Sequence, residues 1–430
     1  MSDPGTTPRL LRAVGLAGLT AIALNGVVGS AIFVLPATVY GLTGAASPIA
    51  YLVAALLMTL VVACFAEAGS RSEETGGPYL YARAAFGDLV GFLVGWMFLL
   101  TRLAATAAIA NAFVASLGYI EPSLATGVGR FAAITIAVGG LAVINIFGVR
   151  GASFTVNLLT VAKLVPLVIF IGAGLIAMHG ITVLARPELG SLRQAALLLV
   201  FAYGGFENAN VPTEEAVNPR RHLPIALLTT IAGVAVLYVL IQVVAQAALP
   251  GLAASKTPLA SAAREVMGAP GGLLLTGAAI VSTLGSISAV VLVGPRVLYA
   301  FARHGQLPAV LARIHPRHRS PHWAVIVFAL FTWAAALAGG FAQLAAMSAV
   351  ARLLFSAITC LAVPVLRRRR RDLAPSFVLP AGPVIPLLAV GLSIWLLSGV
   401  SRAQAVAGGI GLLVGLAVYA GYRALRAARG

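Results

Sequence analysis

Apolar residues fall along this chain in runs of about 20, separated by polar, charged or Gly/Pro breaks; about 20 residues is the helix length that crosses the hydrocarbon core of a bilayer. Counting the runs predicts twelve spans, at about 14–36, 46–68, 86–117, 130–148, 152–178, 194–213, 223–249, 271–301, 323–341, 343–366, 383–400 and 404–423. The expected fold is all-α and polytopic, a single transmembrane domain over 1–430. The first five spans and the next five are set apart by very short or charged connections, and the last two form a terminal hairpin.

Two of the runs are poor lipid-facing helices. The first carries Asn25-Gly26-Val27-Val28-Gly29-Ser30-Ala31 at its middle, an amide, two glycines and a serine that each weaken helix. The sixth carries Phe201-Ala202-Tyr203-Gly204-Gly205-Phe206-Glu207-Asn208. Hydrocarbon cannot satisfy free backbone groups, so such breaks persist only against protein, water or a ligand. Taken alone, the first break equally fits a close helix crossing, because small residues let backbones approach. Together the breaks open the first and sixth spans. The odd offset of five inserts the two halves, about 14–178 and 194–366, with opposite orientation, and leaves a hairpin over about 383–423. Gly-interrupted spans at matching positions in two halves are the sequence mark of a transporter's central site. Half-helix amino ends offer N–H groups to an anion, and freed carbonyls accept a cation or amine. An α-amino acid carries both charges on one carbon and suits such a site.

Composition supports the membrane reading. The 430 residues are 60% hydrophobic and only 10% charged, with a mean hydropathy of +0.99, too little polar surface for a soluble protein of this length. The net charge of +17 could suggest a nucleic-acid partner, but the basic residues lie between the apolar runs. That makes them topology markers, and no nucleic acid is expected. With the amino terminus in the cytoplasm, the inner segments collect the arginines from Arg9 and Arg12 through Arg303 and Arg367 to Arg371 to Arg429. The outer segments hold only Arg130, Arg186, Arg193, Lys256, Arg264 and Arg402. Both termini are therefore expected in the cytoplasm, with the chain integral to the cytoplasmic membrane. The run Arg367–Arg371 reads first as a stop at the inner end of span ten and second as a contact for anionic lipid. Cys64 and Cys360 lie inside apolar runs and make no disulfide framework.

At the two breaks the chain resembles the amino acid–polyamine–organocation superfamily of permeases. Gly26-Val27-Val28-Gly29-Ser30-Ala31-Ile32-Phe33 is similar to that family's G-x-x-G-S-G-I-F in helix 1. Phe201-Ala202-Tyr203-Gly204-Gly205-Phe206-Glu207 is similar to its helix 6 motif, and Glu215-Ala216-Val217-Asn218-Pro219-Arg220-Arg221-His222-Leu223-Pro224 follows the family's pattern E-x-x-N-P-x-R-x-x-P. Gly76-Gly77-Pro78-Tyr79 in the first inner loop and Arg296-Val297-Leu298-Tyr299-Ala300-Phe301-Ala302-Arg303 ending helix 8 complete the likeness, which covers essentially the whole chain. Ala31 departs from the family's glycine, and its methyl narrows that end of the site. The resemblance implies a fold of five plus five inverted helices plus two, with helices 1 and 6 unwound. It implies a substrate carboxylate on the backbone around Gly29, Ser30 and Ala31 and a substrate amine on carbonyls around Val27, Phe201 and Gly204. Phe201 would close over the substrate from outside, and Thr106 would line the side-chain pocket.

Ionisable residues near mid-membrane are costly and are candidates for function by default. They are Arg102, Lys163 and Glu207. Lys163 lies about 16 Å along its helix, too deep to snorkel. It resembles the family's helix 5 lysine, whose ammonium stands where sodium sits in sodium-coupled relatives. It would then meet the carbonyls of the first break and the hydroxyls of Ser282 or Ser286, either coupling a proton to closure or serving as a fixed structural tie. Glu207 would bond the substrate, sense pH, or pair with Arg102. Glu67 and Glu214 read as partners of loop arginines, and Arg296 and Arg352 as helix-end charges or interhelical ties. All six histidines, His179 among them, fall at helix ends or loops. The short motifs contain no zinc cluster, nucleophile elbow or phosphate loop, so no cofactor, metal or nucleotide drive is expected.

The leading expectation is a secondary transporter of amino acids working by alternating access, with a proton as the coupling ion. An amino acid exchanger or exporter, or a polyamine carrier, is the alternative; a polyamine would leave the amides of the first break without a partner. A membrane-embedded enzyme using Glu207 and Lys163 lacks an accompanying nucleophile or metal set. A sensor or scaffold would need a soluble domain that the short loops do not provide.

Overall fold

The computed structural model describes residues 12–71, 74–147, 149–178, 186, 188–339, 341–369 and 375–427. Arg9, His179, Arg370, Arg371 and Arg429 lie outside the described residues. The first apolar run forms two helices, α1 (Leu16–Val27) and α2 (Ala31–Thr43). Then come α3 (Ser47–Gly69), α4 (Pro78–Phe86), α5 (Asp88–Ile120), α6 (Gly127–Ile146), α7 (Val149–Ala177), α8 (Leu189–Tyr203) and α9 (Pro219–Ala248). The chain ends with α10 (Pro258–Arg303), α11 (His322–Ala338), α12 (Phe341–Arg369), α13 (Val384–Leu397) and α14 (Arg402–Ala427). Among the described residues there is no β-strand beyond one isolated bridge, Val14 to Ala216.

Nine of the described helical segments are long and apolar enough to cross a membrane; Leu16–Val27, His322–Ala338 and Val384–Leu397 are shorter apolar helices. Two elements differ from the sequence expectation. The loop after α3 contains a helix, α4, because Pro78 sits in its first turn and Gly77 and Gly87 bound it with φ of 55° and 91°. The eighth run starts earlier than expected, at Pro258, with a kink at Gly268 (φ 71°, ψ −166°).

The distribution of polarity is that of an integral membrane protein. Ile176, Val128 and Ile136 are largely exposed, at 86%, 83% and 73%. Arg102, Lys163, Glu207 and Arg352 are buried among helices. A water-soluble chain would reverse this pattern.

The arginine-rich end of the bundle is held shut. The segment before α1 pairs with the chain after α8: the Ala13 and Val14 amides both donate to Glu215 O at 2.9 Å, and Val217 N donates to Val14 O at 2.8 Å. Arg296, buried in α10, forks onto Glu215 through Nε at 3.1 Å and Nη2 at 2.9 Å. Arg303 meets Glu214 at 2.5 Å. Glu67 receives Arg71 at 2.9 Å and Arg367 at 2.5 Å, together with the Leu379 amide at 2.8 Å. Arg367 also donates to the carbonyls of Gly382 and Leu379, so this member of the basic run is turned into the protein.

Candidate functional site

The first break is three residues long. α1 ends at Val27, Val28 to Ser30 lie outside the helices, and α2 starts at Ala31 with Ser30 at its N-cap. Helix starts leave their first N–H groups without intrahelical acceptors, so the amides at Ser30, Ala31 and Ile32 form a donor cluster. Ser30 Oγ is buried and has no hydrogen-bond partner among the described residues. The residue stands at a cavity of about 520 Å³ between α2, α5 and α10, lined also by Phe33, Asn111, Leu275, Thr283, Lys256 and Thr257. Of the residues expected to bind substrate, Ser30 is the one on this wall.

The carbonyl side of the same break faces α7 and α10. Lys163 Nζ donates to Val28 O at 2.5 Å and to Asn25 O at 3.4 Å. Ser282 Oγ donates to Val28 O and Gly29 O at 3.1 and 3.3 Å, and Ser286 Oγ to Asn25 O at 3.0 Å. The expectation is amended in one respect. The lysine and the two hydroxyls meet through shared carbonyl acceptors; all three are donors seeking the same exposed oxygens. Asn25 anchors α1 to α7 through Val156 O at 2.6 Å and the Thr160 hydroxyl.

The second break pivots on two glycines. α8 ends at Tyr203, Gly204 is extended, and Gly205 has φ 120°, a conformation open to glycine but rarely to other residues. A short 3₁₀ turn over Phe206–Asn210 follows. The two breaks touch: a Cβ on Gly26 would run into the Gly205 carbonyl, and one on Gly205 into Gly26. Glycine at both positions permits the backbone contact.

Glu207 is shared by two arginines. Arg102 Nη2 reaches Oε1 at 2.6 Å and Arg352 Nε reaches the same oxygen at 3.0 Å; Oε2 accepts from the Gly205 amide at 2.8 Å. Arg102 also donates from Nη1 to Asn208 Oδ1 at 2.6 Å and lies over the Phe98 ring at 5.1 Å. The pairing of Glu207 with Arg102 is among the readings the sequence offered. Arg352, from α12, was missed as a partner in this site. It lies far enough inside its apolar run to be no helix-end charge, and that depth was the available signal.

Two of the carbonyls assigned to a substrate amine, those of Val27 and Phe201, are occupied. Val27 O accepts from the Tyr238 hydroxyl at 2.9 Å, and the same hydroxyl reaches Ala202 O at 3.3 Å, tying the two breaks together. Phe201 O accepts from Arg352 Nη1 at 3.3 Å, and the Phe201 ring is half-buried. The Arg352 guanidinium fills the space beside Gly204 where a Cβ would stand. Thr106 is buried, and its hydroxyl donates to Arg102 O at 2.8 Å within its own helix. Tyr238 gave no sequence signal, since one tyrosine in a run of Val and Leu is as well explained by packing.

The chain is similar to known proteins over most of its length. Residues 14–413 match the model of the amino acid permease family. The chain is 26% identical to a branched-chain amino acid permease of Bacillus subtilis, over 95% of this chain and 92% of that protein. It is 28% identical to a serine/threonine exchanger of the same organism, over 97% and 98%. It is 30% identical to a b(0,+)-type amino acid transporter of Oryctolagus cuniculus, over 86% and 79%. The chain belongs to the amino acid permease family and is an integral membrane protein.

Proposed function

We propose that this protein is a secondary active transporter that moves amino acids across the cytoplasmic membrane by alternating access around the two helix breaks. In this reading α1 and α2 together make one broken crossing, and α3 and α5 to α14 make the other eleven, twelve in all, with both termini in the cytoplasm. The halves 14–178 and 194–366 form an inverted pair, followed by the hairpin 383–423. The arginine-rich end is then the cytoplasmic gate, closed by Arg296–Glu215 and the Val14–Ala216 pairing. The cavity below Lys256 is the external approach.

A substrate carboxylate enters through that cavity and is received by the amides of Ser30 and Ala31 and by the Ser30 hydroxyl, with the Gly29 amide, bonded to Val27 O at 2.8 Å, joining them once that bond is released. Its side chain lies toward Thr106. Val27, Phe201, Gly204 and Glu207 form the opposite wall, where Tyr238 and Arg352 hold the carbonyls until they are displaced. Lys163 couples a proton to closure: when charged it bridges Val28 O and Asn25 O across α1 and α7, and when neutral it loosens that bridge. The observation that carries the proposal is the division of the first break into two chemically opposite sides. Its carbonyls accept from Lys163, Ser282 and Ser286, while Ser30, whose hydroxyl has no partner among the described residues, stands at the helix start beside a cavity.

Uptake into proteoliposomes with an imposed pH gradient tests this. Wild type should accumulate an amino acid when the gradient is applied, and Lys163→Met, folded by its thermal melt, should lose the pH dependence. Retention of full proton dependence by the variant would refute the coupling role. The similarity to a serine/threonine exchanger favours obligatory exchange as a second reading. There, uptake appears only when the vesicles are preloaded with amino acid, irrespective of the gradient.

A further inference from the structure

The polar groups around the two breaks divide unequally between filled acceptors and unfilled donors. On the acceptor side, Val27 O is held by Tyr238, Phe201 O by Arg352, and both oxygens of Glu207 by Arg102, Arg352 and the Gly205 amide. On the donor side, Ser30 Oγ, Arg102 Nε and Asn208 Nδ2 are buried without a partner among the described residues. Asn25 Oδ1 is an orphan acceptor nearby, and it is packed against Gly285 of α10. The charge balance has the same sign. Arg102 and Arg352 share a single carboxylate, Glu207, and both guanidiniums stay protonated under any physiological condition. Glu67, Glu214 and Glu215 are engaged by other arginines at the closed end. Lys163 adds a further buried cation whose hydrogen bonds go only to carbonyls.

We infer that the site selects substrates of net negative charge, small acids such as amino acids with an acidic side chain, and that the positive surplus of the Arg102–Glu207–Arg352 cluster sets this preference. The inference rests on the transport reading above and deepens it. An incoming ammonium finds Val27 O bonded to the Tyr238 hydroxyl, Phe201 O to Arg352, and Glu207 to two guanidiniums and the Gly205 amide. An incoming anionic group finds free donors and an excess of positive charge in a water-poor interior, where unbalanced charge is costly and a counter-charge correspondingly welcome. Arg352 is the pivotal residue: its guanidinium lies against Gly204, in the space an amine would use, and it tips the cluster from neutral to positive.

The experiment compares ligands of different charge on the purified full-length protein, by thermal shift and equilibrium binding at neutral pH in chloride-free buffer. The panel is leucine and serine as zwitterions, glutamate and aspartate as net anions, arginine as net cation, and glutarate as an acid without an amine. Glutamate or aspartate should bind about tenfold more tightly than leucine, and arginine most weakly. Arg352→Gln should reduce that preference to within about twofold. Asn208→Asp, an isosteric change that gives Arg102 its own carboxylate, should do the same and covers the case in which Arg352→Gln does not fold. Leucine or serine binding as tightly as the acids, or a preference undiminished in both variants, overturns the inference while leaving amino acid transport standing. If added chloride alone stabilises the protein and the acids show no advantage, the surplus is met by a free inorganic anion and the inference also falls. Silence toward every amino acid with a response to glutarate refutes the amino acid reading and upholds the anionic selectivity. Silence toward the whole panel refutes both.

Discussion

The breaks in α1–α2 and after α8 arise from similar sequence chemistry, paired glycines beside small or polar residues, and reach opposite electrostatic states. At the first, protein donors cover the carbonyls and leave the Ser30 hydroxyl unpartnered among the described residues: Lys163, Ser282 and Ser286 converge on Asn25, Val28 and Gly29, while Ser30 stands beside a cavity. At the second, side chains from α9, α12 and the break itself take up the freed backbone: Tyr238 on Ala202, Arg352 on Phe201, and Glu207 on the Gly205 amide. A helix break therefore does not by itself make a ligand site. What neighbouring helices leave unsatisfied decides whether the exposed backbone is an address for substrate or a joint within the protein.

Glycine substitutions separate the two cases most sharply. Gly204 has an ordinary φ of −80°, so alanine is allowed by its backbone, but the new methyl would overlap the Arg352 guanidinium and force it off Glu207. Disrupting a buried ion pair on one side costs about 3–5 kcal/mol. Gly204→Ala should thus lower the melting temperature strongly, and Arg352→Ala should remove most of that extra penalty in the double variant. Additive losses would show that the guanidinium is not what fills the glycine space.

Tyr238→Phe is the intermediate test. It removes one hydroxyl that satisfies carbonyls on both sides, Val27 O and Ala202 O, and should cost about 1–3 kcal/mol. It should also increase hydrogen exchange at both breaks together; protection lost at one break alone would mean that Tyr238 does not tie them. Gly29→Ala should have the smallest effect, because its Cβ would stand 3.2 Å from Ser286 Oγ, a side-chain atom able to yield by a few tenths of an ångström. Stability should change by about 1 kcal/mol or less, since alanine also restricts the unfolded chain. A loss equal to that of Gly204→Ala would erase the distinction between the breaks.

Much of this was legible beforehand because it depends on local chain chemistry. Long apolar runs oblige helices, and glycines beside Asn25, Ser30 and Glu207 oblige interruptions in a medium without water. The depth of Lys163 in its run marked it as a candidate for function, and the resemblance to the permease family implied its carbonyl partners. Helix α4 escaped because a nine-residue element bounded by glycines has little apolar periodicity of its own. Arg352 and Tyr238 escaped as site members because they lie on α12 and α9, remote in sequence from both breaks.

The sequence alone determined the membrane class, the two places where helix must fail and the family to which the chain belongs, since each follows from residue type and short-range spacing. Only the tertiary structure decided that Arg352 from α12 fills the groove beside Gly204, that two guanidiniums share Glu207, and that Ser30 meets a cavity. Side chains more than a hundred residues apart met there, and their partners were fixed by how the helices pack.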